Sequence, residues 1–307
     1  MQPVLDFGLR ALSLSTNGTQ WSFCPNEGAA YAFAIFFGLT MLAHLYQAIR
    51  YRKGYCWVIT MSALWQTLTY VFRILSIHSP ASFAYYAAWF ILILVAPLWT
   101  NAFVYMVMGR MVWNFTPTAK ILRLSAWRFG LLFVVLDIIS FIVQVYGAGS
   151  ASSGDDESTQ DVLKGLHIYM GGVGIQEFFI LVFAFFAYQL HRVINREADP
   201  ATKAQALRLL YTLYAVLTLI TVRIIFRLCE YSKGMESTIP LHEAYQYCLD
   251  TAPMLLALVA LNIVHPGRIM PGKESDLPSR KERKRAGVRR KADRLRLPVQ
   301  EVVVEEK

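Results

Sequence analysis

Seven long apolar stretches constrain this chain more than any other feature, because each approaches the length that crosses a lipid bilayer. About 30 Å of hydrocarbon takes roughly 20 residues of α-helix. The chain has 307 residues, of which 55% are hydrophobic and only 17% are charged, which is too apolar for a soluble domain of this size. The predicted spans are residues 29–48, 57–77, 83–108, 129–146, 165–190, 209–228 and 243–264. The sequence therefore predicts an all-α membrane protein that folds as a seven-transmembrane helix bundle.

The distribution of lysine and arginine indicates how this bundle is oriented. With alternating loops, 24 of these residues fall on one side of the membrane and 3 on the other. Because basic residues accumulate in cytosolic loops, the N-terminus is predicted outside and the C-terminus in the cytosol. The chain then divides into an extracellular N-terminal arm (1–28), the helical domain (29–264) and a polybasic, largely disordered cytosolic tail (265–307). We expect a multi-pass protein of the plasma membrane, with an endomembrane as the alternative.

The predicted outer side carries two candidate covalent modifications. Asn17-Gly18-Thr19 matches the glycosylation motif, which is short and common, so modification of Asn17 is left open. Cys24, Cys229 and Cys248 are all predicted near this side, and a disulfide bond between two of them is left open without a choice of pair.

The tail contains a strongly basic stretch from Arg280 to Arg296, with ten lysines or arginines against Glu282 and Asp293. Two compatible interpretations are a solvated, disordered tail and a segment that anionic inner-leaflet lipids hold, at about 1 kcal/mol per basic residue near the surface. A nucleic-acid partner is not expected, since the tail has no aromatic residue for stacking on bases.

Polar residues recur along the spans at helical spacing, which places one polar stripe on each predicted helix. Charged groups inside a bilayer are costly and usually functional. The candidate substrate-binding or cavity residues are Arg73, Asn101, Tyr105, Asp137, Gln144, Gln176, Glu177, Arg223, Arg227, Glu230, Glu243, Tyr247 and Asp250. Stripes that face inward predict a polar cavity that opens outward. Its five carboxylates against three guanidiniums would make it net negative if all were ionised.

A purely structural role for these groups is the alternative, since intramembrane polar residues often only join neighbouring helices. Arg227 and Glu230 lie three positions apart and could form a closed pair. Pro97 and Pro253 are predicted kinks whose freed carbonyls line the cavity. The glycines of the run from Gly171 to Gly174 are predicted to allow close helix packing.

The motifs argue against an enzyme. The six histidines form no His-x-x-x-His pair and divide between the two membrane faces, which disfavours a metal-dependent intramembrane hydrolase. No glycine-rich phosphate loop followed by lysine is present. We therefore predict no catalytic residue, no metal and no cofactor.

A receptor shares the predicted topology, but the rhodopsin-like signatures are missing. The stretch from Tyr105 to Arg110 at the cytosolic end of the third span lacks the acidic-arginine-aromatic triplet, and the seventh span carries Asp250-Thr-Ala-Pro253 in place of Asn-Pro-x-x-Tyr. An unrelated receptor class is left open.

From Tyr31 to Gly267 the chain resembles the fungal Rta-like proteins, the lipid-translocating exporter family named for resistance to aminocholesterol. The residues that carry the resemblance are Ala96-Pro97, Asn101, Tyr105, Asp137, Gln144, Gly147, the stretch from Gly165 to Gln176, Arg223-x-x-x-Arg227-x-x-Glu230, Gly234, Glu243, Tyr247, Asp250 and His265-Pro266-Gly267. The resemblance implies membrane transport or control of lipid asymmetry, with sphingoid bases, sterol-like amphiphiles or tetrapyrroles as cargo.

The residues add a preference within that family. A net-negative cavity suits an amphiphile with a cationic head, whose ammonium group would exchange water for carboxylates while its tail stays in lipid. We therefore hypothesise that Asp250, Glu243 and Asp137 contact the head group. Arg223 and Arg227 would either hold these acids in place or bind a lipid phosphate. The alternative function is a seven-helix lipid sensor that signals stress without transport.

Overall fold

The computed structural model describes residues 19, 21, 23–151, 159–230, 232, 239, 242–279 and 281–282. In this part of the chain, seven helices are long and apolar enough to cross a membrane, which confirms the predicted number of spans. They are α1 (Glu27–Tyr51), α2 (Trp57–His78), α3 (Phe83–Phe115), α4 (Ala126–Ala151), α5 (Thr159–Glu197), α6 (Pro200–Glu230) and α7, which joins a first turn (Glu243–Gln246), a π-helical turn (Tyr247–Thr251) and a longer α-helical part (Ala252–Ile263).

The helices form a closed ring. Each packs against its neighbour in sequence, and α7 returns to pack against α1. Every helix therefore has one face toward the interior and another toward lipid. On α1, for example, Phe37 is fully buried whereas Phe36 is 50% exposed. We call the two ends of the ring the Glu243 end, where α1, α3 and α7 begin, and the His265 end, where they finish.

Short elements complete the fold at the His265 end. A 3-10 turn (Gly54–Cys56) precedes α2, and a two-stranded antiparallel hairpin of β1 (Lys120–Ile121) and β2 (Leu124–Ser125) joins α3 to α4. A last short helix, α8 (Pro266–Ile269), follows α7.

Helices α4 and α5 run further than the predicted spans, because they pack closely beyond the apolar stretches. A methyl group on Gly147 would collide with the backbone of Tyr169, so glycine is what lets the two helices approach. In the glycine run, Gly172 is similarly tight against Gln144, which confirms the predicted packing role for this residue. A methyl group on Gly171 or Gly174 would meet nothing, so the prediction is wrong for these two. Only residues 152–158 separate α4 from α5, and they lie outside the described residues.

Pro97 lies within α3, and the helix continues through it. Because proline has no backbone N–H, the carbonyl of Ile93 four residues earlier loses its usual partner. Arg223 on α6 donates to this carbonyl from Nη2 at 2.8 Å. The freed carbonyl therefore receives a charged side chain in the interior, in agreement with the predicted role of this proline.

Pro253 acts on α7, where the π-helical turn directly precedes it. Pro253 cannot donate to the carbonyl of Leu249, so this carbonyl loses its usual α-helical partner within the π turn. Thr251 donates from its hydroxyl to the carbonyl of Gln246 at 3.3 Å. Single π turns inside α-helices often accompany functional sites, and this one buries Asp250 in the ring.

The tail differs from the prediction at its beginning. His265 is buried and stacks on Tyr51 with 5.0 Å between ring centroids. Lys53 donates to the hydroxyl of Ser275 at 2.7 Å, forms an ion pair with Asp276 at 3.2 Å, and also donates to a backbone carbonyl of the same segment. Residues 265–279 therefore fold back over the His265 end instead of forming a solvated tail. The reason is that this segment satisfies a lysine whose side chain is almost fully buried.

Two other predictions, on Asn17 and on the basic stretch of the tail, concern residues that the structure mostly does not describe. Asn17 lies outside the described residues, as does the basic stretch from Arg280 to Arg296 except for residues 281–282. All four cysteines are free, so the structure has no disulfide bond between Cys24, Cys229 and Cys248.

Candidate functional site

Two arginines of α6 share one carboxylate of α7. Arg223 Nη1 lies 2.7 Å from Asp250 Oδ1, and Arg227 pairs with Asp250 Oδ2. Arg227 also donates to Glu230 Oε2 at 2.9 Å. The spacing of three and four residues along α6 places all its members of this group on one face. All four side chains are buried, and two guanidiniums face two carboxylates, so the group can neutralise itself.

The third arginine is held in the same way between α2 and α7. Arg73 is fully buried and bonds Glu243 Oε1 at 2.7 Å and Gln246 Oε1 at 2.9 Å. Three aromatic rings also lie within 4.8–5.0 Å of its guanidinium carbon, namely Trp21, Trp89 and Tyr247. Such cation–π contacts stabilise a guanidinium that has left water.

Trp21 is a member of this site that the sequence analysis missed. Its indole nitrogen donates to Ser76 on α2 at 3.1 Å, and its ring covers Arg73. Close by, the backbone N–H of Asn26 donates to Glu243 Oε2 at 2.7 Å. The described part of the arm therefore covers the site at the Glu243 end. A tryptophan in a polar arm next to the first span was the only signal in the sequence.

A second group lies between α3 and α4. Asp137 Oδ2 accepts hydrogen bonds from Asn101 Nδ2 and from the hydroxyl of Tyr105, both at 3.0 Å. All three side chains are buried. Two turns after Asp137 on α4, Gln144 donates to Gln176 on α5 at 3.0 Å. These contacts join α3, α4 and α5 by polar pairs that contain no cation.

Glu177 lies apart from both groups. It is half-buried on α5, with Thr221 of α6 close to its carboxylate. Its Oε2 has no hydrogen-bond partner. The predicted candidates thus separate into a paired cluster at the Glu243 end, the Asp137 group, and Glu177 on α5.

A small cavity lies between the two buried groups. It has a volume of about 20 Å³, and the residues with polar groups that line it are Asn101, Gln144, Tyr169, Gln176, Arg223 and Arg227. A cavity of roughly 10–15 Å³ or more on this measure holds one water molecule, whereas small-molecule sites usually span about 300–1,000 Å³. The polar interior predicted from the stripes exists, but here it is too small for a lipid head group. Among the described residues, ion pairs occupy the interior next to this cavity, and an opening to the outside stays a prediction.

Comparisons with known proteins agree with the resemblance seen in the sequence. Residues 59–273 match the family model described as RTA1 like protein. A probable lipid transporter, atnI of Emericella nidulans, is 40% identical over 269 residues, which cover 83% of this chain and 70% of the relative. The sphingoid long-chain base transporter RSB1 of Saccharomyces cerevisiae is 22% identical, with 86% and 78% covered.

A third relative is the lipid-translocating exporter-like protein RTA1 of Leptosphaeria maculans, which is 25% identical. The match covers 89% of this chain and 56% of that longer relative. No solved structure matches the chain.

Proposed function

Because this chain belongs to the RTA1-like family, we propose that it moves an amphiphile between the leaflets of its membrane or controls its distribution between them. We further propose that the preferred cargo is a cationic sphingoid base. The relatives named as lipid transporters support the general function. The relative named as a sphingoid long-chain base transporter supports the cargo more distantly, at 22% identity.

The charge balance of the interior is the observation that carries the choice of a cationic cargo. The three guanidiniums are paired with Glu230, Glu243 and Asp250. Two candidate carboxylates, Asp137 and Glu177, are bonded to no guanidinium. Acids without an arginine partner attract a cation in a low-dielectric bundle whenever they are ionised, and an ammonium head group supplies one.

Glu177 is the carboxylate that a membrane-dissolved amphiphile reaches first. Its neighbour Phe178 is 61% exposed, and Ile225 on the facing helix is 50% exposed. An amphiphile lying against α5 and α6 would keep its tail on these apolar side chains. Its ammonium group would meet Oε2, which is buried and unpartnered here, once the Glu177 side chain turns outward. Glu243 and Asp250, which the sequence analysis assigned to the head group, are engaged by arginines. We propose that they hold the bundle closed and meet cargo only after an arginine moves.

The proposed orientation places the Glu243 end outside the cell, at the plasma membrane. The excess of basic residues on the other side supports this, and the basic stretch from Arg280 to Arg296 would then meet anionic lipids of the inner leaflet. If Asn17 is glycosylated, enzymatic removal of glycans lowers the apparent mass of the wild type and leaves Asn17→Gln unchanged. A protease added to intact cells that removes a tag from the C-terminus would contradict the orientation.

The function is tested with purified protein in liposomes and fluorescently labelled phytosphingosine. We expect the wild type to move the label between leaflets, and Glu177→Gln to slow this movement about tenfold, which corresponds to about 1.4 kcal/mol. Glu197→Gln is the matched control, because it makes the same change at an exposed position of the same helix.

Unchanged movement in Glu177→Gln would refute the assigned contact. No movement by the wild type, together with a cytosolic partner that binds only when phytosphingosine is present, would favour the lipid sensor instead.

A further inference from the structure

Asp137 and Asn101 are buried neighbours, and each has one side-chain oxygen without a hydrogen-bond partner. The residue is 2% exposed, and Asn101 is 1% exposed. Asn101 Nδ2 and the hydroxyl of Tyr105 both donate to Oδ2. Asp137 Oδ1 and Asn101 Oδ1 have no hydrogen-bond partner. Two buried acceptors without a donor are costly, as is a buried carboxylate without a cation.

One proton would correct all three defects. We propose that Asp137 binds a proton on Oδ1 in this closed form of the bundle and releases it when the bundle opens. The proton makes Oδ1 a donor, and Asn101 Oδ1 is an unpartnered acceptor on the side chain that already bonds the same carboxyl group. Acid and amide would then hold each other by two hydrogen bonds of opposite direction. The carboxyl group also becomes neutral, as burial favours.

The surroundings of Asp137 supply no competing cation among the described residues. On α3, Tyr105 is uncharged and donates its hydroxyl proton to Oδ2. On α5, Glu177, itself an acid, lies near Tyr105, and Tyr169 lines the cavity that Asn101 lines. On α6, Arg223 and Arg227 line the cavity that Asn101 also lines, but carboxylates of the paired cluster engage both. Its own helix contributes the uncharged Ser140 and Gln144.

The geometry favours a proton over a metal cation. Hard cations such as calcium and magnesium take about six to eight oxygen ligands, whereas Asp137 and Asn101 offer one unpartnered oxygen each. The neighbouring cavity of about 20 Å³ has room for one water molecule, which can carry a proton to and from the acid.

A proton bound at this site could drive transport, since its binding and release would be coupled to the movement of the cargo. Release of the proton leaves a carboxylate that attracts a cationic head group, and return of the proton removes that attraction. Proton and ammonium would then alternate in the bundle. This coupling rests on the proposed transport function, whereas the proton site itself does not.

The proton site is tested by infrared spectroscopy of the full-length protein in liposomes at neutral pH. We expect the carbonyl stretching band of a protonated carboxyl group, which shifts in D2O, and its loss in Asp137→Asn. Asn101→Leu and Tyr105→Phe keep the acid but change its hydrogen bonds, so each should shift the band without removing it. These two variants identify the band even if Asp137→Asn does not fold.

A band that all three variants leave unchanged, or no such band in the wild type, would overturn the proton site. Loss of the band on addition of sodium, with recovery in its absence, would instead assign a metal cation and also overturn it.

The coupling is tested in the same liposomes with a pH gradient and labelled phytosphingosine. The wild type should distribute the label according to the gradient, and Asp137→Asn should lose this dependence. Movement by the wild type that ignores the gradient would overturn the coupling. An infrared band at Asp137 without any movement of label would overturn the proposed transport function and leave the proton site supported.

Discussion

Removal of the Asp250 carboxylate should destabilise the bundle strongly, since two buried arginines share it. Loss of one partner of a buried ion pair costs about 3–5 kcal/mol because it strands a charge. In Asp250→Asn, Arg227 still has Glu230, and Arg223 still donates to the carbonyl of Ile93. We therefore expect a loss of about 3 kcal/mol, the lower end of that range. At roughly 2–4 °C per kcal/mol, the unfolding midpoint falls by about 6–12 °C.

The midpoint is measured by the intrinsic fluorescence of detergent-purified protein during heating. Glu177→Gln is the control, because it also turns a carboxylate into an amide but strands no guanidinium. The double variant Asp250→Asn with Arg223→Met should recover part of the loss, since it removes the uncompensated charge. A midpoint for Asp250→Asn within about 2 °C of the wild type, less than 1 kcal/mol on the same scale, would refute the reasoning. A double variant that shows the sum of the two single losses would do the same.

Three further changes test the packing around the site. Gly147→Ala pushes a methyl group into the backbone of α5 and should cost about 1–3 kcal/mol in thermal unfolding, whereas Gly171→Ala, whose methyl group meets nothing, should show no such loss. Trp21→Ala removes one ring from the buried guanidinium of Arg73 on α2. It should lower the free energy of unfolding by about 1–2 kcal/mol from the cation–π contact alone, and with it the unfolding midpoint; an unchanged midpoint would mean that the arm does not cover the site in solution. Lys53→Met releases the segment that folds over the His265 end, so trypsin should cut at the exposed Lys273 faster than in the wild type, and equal rates would contradict the anchoring.

The spacing of residues within one helix could be read from the sequence. Arg223, Arg227 and Glu230 were predicted to share a face of α6, and the structure places them so. The pair of Arg227 with Glu230 was already one of two alternatives, because residues three positions apart are neighbours on any helix. The freed carbonyl near Pro97 was predictable for the same reason, as proline acts on its own helix.

Contacts between distant parts of the chain could not be predicted from the sequence. Arg73 and Glu243 are separated by 170 positions, and Lys53 and Ser275 by 222. Spacing says nothing about which of several acids meets a given arginine. For that reason the sequence analysis expected an open, net-negative cavity, whereas the folded ring closes three arginines onto acids and leaves about 20 Å³ between the groups.

The sequence by itself determined that this chain has seven helices long and apolar enough to cross a membrane and that it belongs to the RTA1-like family. Length and apolarity are sufficient for the first conclusion, because hydrocarbon forces each span to satisfy its backbone within its own helix. Only the tertiary structure decided which carboxylates are neutralised by arginine and which, Asp137 and Glu177, are not. Pairing depends on distances of a few ångströms between helices and on the removal of water around each group, and neither quantity is encoded in the spacing along one helix.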